Sequence, residues 1–238
     1  MAGREVDTRE GKRIEWSQPE VLLYDDDPYI RMSYPDLVED GGKFYVTETQ
    51  KSVARVHEIP PTLLDGLFQQ WDLRSVATNG LVLDLPAGRT MPREIPMPRL
   101  PDFNQRDGQS KDLRGKDLRA GFTMDLWLRL DTCGPGQALL DSRDLTGAGV
   151  LLATAGAGAV RVTLNDGRQE CGWTSDRGGI EPNQFQHWGL TVDGGPKLIM
   201  ILVNGVLKDG GEERQFGWGR FSPTLRTPVG SGTLKISP

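Results

Sequence analysis

Cysteine and histidine are scarce in this chain. Cys133, Cys171, His57 and His187 are the whole supply in 238 residues. No Cys/His cluster at metal-ligand spacing exists, which excludes the zinc-site classes. A Cys133–Cys171 disulfide and two unpaired loop thiols both stay open, because nothing in the sequence fixes how close the two residues sit. Positive charge is also short. The formal net charge is −5 with a pI near 5.2, and no basic stripe stands out, so nucleic acid is not an expected partner. Long apolar runs are missing too. The longest, Leu198 to Val203, is far too short to cross a bilayer, so no membrane partner is expected. The opening stretch MAGREVDTREGKR lacks the apolar core of a signal peptide.

Glycine (30) and proline (16) are abundant, and hydrophobic residues reach 37%. That balance suits a packed core built from many short strands joined by turns. The clearest pattern lies in GFTMDLWLRLD. Phe122, Met124, Leu126, Leu128 and Leu130 share one parity, while Thr123, Asp125, Trp127, Arg129 and Asp131 share the other. Side chains alternate across a strand with period two, so this predicts a strand with one apolar and one amphipathic face. Further on, FQHWGLTVDGGPKLIMILVNGVLKDGG holds two apolar runs, with Asn204-Gly205 after the second. Asn-Gly fits a type I′ hairpin turn, which needs positive φ at both central residues. The fold class expected is all-β, with an antiparallel β-sandwich in the C-terminal half.

Three zones follow from composition. Residues 1–70 hold YPDLVEDGGKFYVTET, which reads as strand, tight turn and strand. Strands are also expected at EVLLYDD and SVARVHEI, and a short helix at PPTLLDGLFQQW. Residues 71–119 offer one plausible strand, GLVLDL, and then a proline-rich, charged stretch that reads as an interdomain segment. Residues 120–238 form the sandwich. No internal repeat at a fixed period appears.

Two resemblances carry the functional expectation. RMSYPDLVEDGGKFYVTETQKSVARVHEI resembles the last blade of a sialidase-like or other glycosidase-type β-propeller. The segment from GFTMDLWLRLD through FGWGRFSPTL resembles the laminin-G-like, concanavalin A-like jelly roll often attached to such enzymes. Together they imply a fragment of a secreted carbohydrate-processing protein, extracellular or periplasmic. Its upstream blades would precede Met1, and a further strand or two would follow TLKISP. The implied partners are glycans or glycoconjugates. The implied activity is that of a sialidase-like glycoside hydrolase, with this piece alone inactive. The alternative is a non-catalytic adhesion or carbohydrate-binding module on a degenerate propeller scaffold.

The resemblance also nominates residues. Sialidases use a tyrosine nucleophile, because an anionic sugar repels a carboxylate nucleophile, and they clamp the substrate carboxylate with arginines. Tyr34 and Glu48 stand at positions resembling the family's tyrosine and glutamate, and Arg31 lies close enough in sequence to supply a cation. The sequence departs from the family at Pro35-Asp36, where small hydroxyl residues are usual, so Asp36 competes as the carboxylate of interest. The plain alternative packs Tyr34 between blades and lets Asp36 cap a turn. Glu48 and Lys51, at a strand end, could bind sugar hydroxyls, or the carboxylate could hold an arginine, with a solvated strand end as the plain alternative. On the jelly roll, Trp127 with its flanking Asp125 and Arg129 reads as a lectin-like stacking site, against cover by a loop or a neighbouring domain. Trp188 reads as core, and Trp173 and Trp218 as rim residues. No cofactor is implied. Calcium is possible at Asp25 to Asp27 or at Asp141 to Asp144, with charged turns as the alternative.

Overall fold

The computed structural model describes residues 1–24, 32–49, 53–86, 90–101, 103, 121–208, 210 and 217–237. The chain divides into two units, Met1–Val76 and Ala77–Pro238.

The first unit opens with a hairpin of β1 (Gly3–Thr8) and β2 (Gly11–Trp16), closed at its base where Ser17 N donates to Ala2 O and Ala2 N to Ser17 Oγ. A meander of β3 (Ser33–Asp40), β4 (Lys43–Thr49) and β5 (Ala54–Glu58) follows, then α1 (Pro61–Gln69). The β3–β4 turn is Gly41-Gly42, with φ of 57° and 76°. That double positive φ is what a two-residue hairpin turn demands. Pro61 sits in the first turn of α1, where a missing N–H costs nothing, and Leu67 is its buried residue. Ser33 pairs with Thr49 and Asp36 with Thr47, so Tyr34 and Pro35 form a bulge in β3.

The second unit is a β-sandwich. Its strands are β6 (Glu94–Pro96), β7 (Phe122–Leu128), β8 (Ala138–Asp141), β9 (Gly149–Gly156), β10 (Ala159–Asn165) and β11 (Glu170–Thr174), then β12 (Gln186–Asp193), β13 (Leu198–Val203), β14 (Val206–Leu207), β15 (Gly219–Arg220) and β16 (Thr233–Ile236). Among the described residues one sheet runs β11-β10-β9-β8-β16-β6. The other runs β14-β13-β12-β7, with β15 also paired to β13. Every pairing is antiparallel. Inner-face residues of both sheets form one cluster. Val150, Leu152, Val160, Val162 and Leu164 of the first sheet meet Trp188, Leu190, Val192, Ile199 and Ile201 of the second. The alternation read from GFTMDLWL is realised: Phe122, Met124, Leu126 and Leu128 pack on that core while Thr123, Asp125 and Trp127 are exposed. Asn204 and Gly205 take φ of 51° and 78° between β13 and β14, as the turn residues require.

Several expectations are corrected. Glu20 to Tyr24 form no strand, and Asp25 and Asp26 of EVLLYDD lie outside the described residues. GLVLDL forms none either: Leu81 and Val82 are exposed, and an apolar run without a ladder partner does not hold an extended pairing. Among the described residues of that zone the strand is Glu94–Pro96, paired with β16. Phe103, from the same zone, is fully buried against Phe122 and Phe221. Both cysteines are free thiols packed against the core. Trp173 lies in β11 and packs on the core rather than on a rim. No described helix is long and apolar enough to cross a membrane.

Candidate functional site

The outer face of the β7–β12 sheet gathers the most distinctive surface chemistry. Antiparallel register sets His187 beside Trp127, Gly189 beside Asp125 and Thr191 beside Thr123. Each facing pair shares one side of the sheet. Trp127 keeps 60% of its surface exposed, and Phe185, just ahead of β12, keeps 63%. Their rings stack at 5.4 Å and 19°, and the His187 ring lies 5.0 Å from Trp127. Two large aromatics stacked on each other and still mostly exposed make an apolar cluster, called the platform below, that no core requirement explains.

Polar groups border this platform. His187 Nε2 and Asp125 Oδ2 are 2.7 Å apart, each side chain about a quarter exposed. An ionised carboxylate only accepts, so the imidazole donates from Nε2. The histidine backbone is fixed as well, since His187 N donates to Asn204 Oδ1 at 3.0 Å and Asn204 N to His187 O at 2.8 Å. Arg129, two residues past Trp127, is exposed. Of the residues named from sequence, Trp127, Asp125 and Arg129 therefore stand along one line. Phe185 and His187 escaped that reading, although the parity that put Trp188 in the core puts both of them outside.

The candidates in the first unit are not gathered in this way. Tyr34 stands 85% exposed on the β3 bulge with φ of 52°. Asp36 is exposed, and its Oδ1 accepts the Leu37 N–H at 2.9 Å. Glu48 is the opposite case, 1% exposed. Its Oε1 accepts from Arg55 Nη1 at 3.1 Å and lies 3.7 Å from His57 Nε2. Glu48 Oε2 and His57 Nε2 are buried and take no hydrogen bond among the described residues. Asp36 faces Thr47, whose neighbour Glu48 points to the other side of the sheet, so the two carboxylates lie on opposite faces. Glu48 is not a solvated strand end, and its carboxylate holds an arginine. Arg31 and Lys51, and the Asp25 to Asp27 run, lie outside the described residues.

The other calcium candidate is a turn. Arg143 donates to both Asp141 oxygens at 2.9 Å, and these bonds hold the Asp141 carboxyl below its ordinary range against the opposing effect of burial. Asp144 accepts from Thr146 N, Thr146 Oγ1 and Ala148 N. No group of three or more metal-ligating side chains occurs among the described residues. An open depression lined by Pro135, Gly156, Ala157, Asp176 and Arg177 lies on the other sheet. Its lining carries no aromatic side chain.

No family model matches the chain, and no curated protein matches it. Among solved structures the chain is similar to the CBM40 of the Ruminococcus gnavus IT-sialidase, with a TM-score of 0.39 and 13% identity. That match covers 50% of this chain and 64% of the other, so the chain spans less than two thirds of that module's length. The same module bound to alpha2,3 sialyllactose gives a TM-score of 0.32 and 14% identity, over 49% of this chain and 75% of the other.

Proposed function

We propose that the second unit is a carbohydrate-binding module and that the Trp127 face is its glycan site. The supporting observation is the platform itself, two stacked and largely exposed aromatics beside an Asp125–His187 pair. An aromatic face takes up the C–H face of a pyranose, while adjacent polar groups bond its hydroxyls and fix its orientation. Trp127 can do the first, and Asp125 and His187 the second. The sheet beneath holds all three on rigid backbone, so little order is lost when a ligand arrives.

The test is a glycan array followed by calorimetric titration of the best ligand. Trp127→Ala is expected to weaken binding by about tenfold or more, the range of a central aromatic anchor, with the melting temperature nearly unchanged because the ring is exposed. Equal binding by the variant, or no binding of any array glycan by the parent chain, would count against the reading.

In its fuller form the module serves a sialidase-like hydrolase, extracellular or periplasmic, with the β3–β5 meander belonging to the catalytic propeller. Support for this comes from the resemblance of residues 31–59 to a propeller blade. The rival is an adhesion module on a scaffold without catalysis, which gains from the exposure of Tyr34 and the separation of Asp36 from Glu48. Turnover of a fluorogenic sialoside by the intact parent protein is expected on the hydrolase reading, and its absence alongside retained glycan binding would favour adhesion.

A further inference from the structure

We infer that the site continues past the aromatic platform along β7 and β12, over a floor made by Gly189, and takes a glycan of at least two sugar units rather than a single sugar. This rests on the glycan-binding reading above. Gly189 lies in the middle of β12, between Asp125 on β7 and Leu202 on β13. Glycine inside a strand lowers stability, and where it occurs a bulge or a close approach by a ligand or another backbone is the usual reason. Neither a bulge nor tight packing applies at Gly189. No register shift interrupts the β12 ladders, and Gly189 is not among the residues with positive φ. A Cβ there would meet only Leu202 Cβ at 3.7 Å and Cδ1 at 3.8 Å, which is ordinary contact. The contrast is with Gly121 and Gly230, where a Cβ would fall 1.8 Å and 1.9 Å from a carbonyl oxygen and only glycine fits.

What the missing side chain provides is an open floor on the exposed face. Asp125 and Leu202 flank it. His187 and the platform stand at one end, and the Thr123 and Thr191 hydroxyls, 3.4 Å apart, stand at the other. From Trp127 to Thr123 is four residues of antiparallel strand, about 14 Å at ~3.4 Å per residue, well beyond the breadth of one pyranose ring. The far end offers two hydroxyls that both donate and accept. Two carboxylates border the trough: Asp125, engaged with His187, and Asp193, two residues past Thr191, whose Oδ1 accepts the Gly195 N–H. The second subsite therefore fits an uncharged, hydroxyl-bearing sugar unit.

Titration of the whole chain with galactose, lactose and alpha2,3 sialyllactose tests this, after the array has set the glycan reading itself. Lactose and the trisaccharide are expected to bind about tenfold tighter than galactose. Gly189→Val should remove that advantage, leaving lactose and the trisaccharide no tighter than galactose measured on the same variant. Gly189→Ala should raise the melting temperature while weakening the longer ligands, a split that a glycine kept for folding would not show. Length-independent affinity, or full affinity in Gly189→Val, overturns the extended site while leaving the module reading in place. No binding of these sugars or of any array glycan removes both.

Discussion

At the scale of single residues, two carboxylates illustrate how environment decides role. Asp125 is surface-accessible and paired with a histidine beside aromatic rings, whereas Glu48 is buried and spent on Arg55. Asp141 is a third case, with a consequence for stability. Its carboxyl titrates below its ordinary value because Arg143 hydrogen-bonds the charged form. A group depressed in the folded state contributes stability that is present above its unfolded value, about 3.9, and lost as pH falls through the folded one. Arg143→Ala is therefore expected to lower stability near pH 6 by about 1 kcal/mol or less, the range of partly exposed pairs. The gap should narrow as the pH falls below that unfolded value and Asp141 takes up its proton, and melting curves at descending pH would show whether it does. Trp127 and Asp125 were legible in sequence because parity alone exposes them. The Glu48 cluster was legible only in part: the strand pattern set Glu48 beside Val46, but only the fold of β5 onto β4 brings Arg55 and His57 to the same carboxylate.

Among elements, those written in a local pattern were readable and those made by distant partners were not. Phe122–Leu128 and the Asn204-Gly205 hairpin carry their period and turn chemistry within a few residues. The β1–β2 hairpin went unread because Val6 and Ile14 are almost its only aliphatic residues. It is held instead by its ladder and by cross-strand charge pairs, Arg4 with Glu15 and Lys12 with Glu5, while Arg4 also lies 4.7 Å over the Trp71 ring. Glu94–Pro96 is a three-residue strand that exists because Thr233–Lys235 lies beside it, and no window of sequence around it contains that partner. GLVLDL is the converse, strand-like residues for which no described neighbour supplies a ladder. The positive φ of Tyr34 is a third such case, since a bulge depends on the register of β4 and not on the letters YPD.

For the molecule as a whole, the sandwich core draws only on residues of the second unit, and the proposed glycan face lies on the same unit. We expect residues 77–238 produced alone to unfold in one cooperative transition and to keep glycan affinity within about twofold of the full chain. Calorimetry and titration would check both, and failure of the isolated unit to fold would tie its stability to the first seventy-six residues.

The pairing of β6 with β16 has a mechanical corollary. These strands carry the chain into and out of the sandwich, and they lie side by side in the sheet opposite Trp127. Because they run antiparallel, tension applied between the two sides of the unit loads Glu94 and Lys235 first and unzips the seam pair by pair. The ladders of the aromatic sheet lie off that line of force, so a molecule pulled at those two sides would peel at its back before the β7–β12 pairing was disturbed.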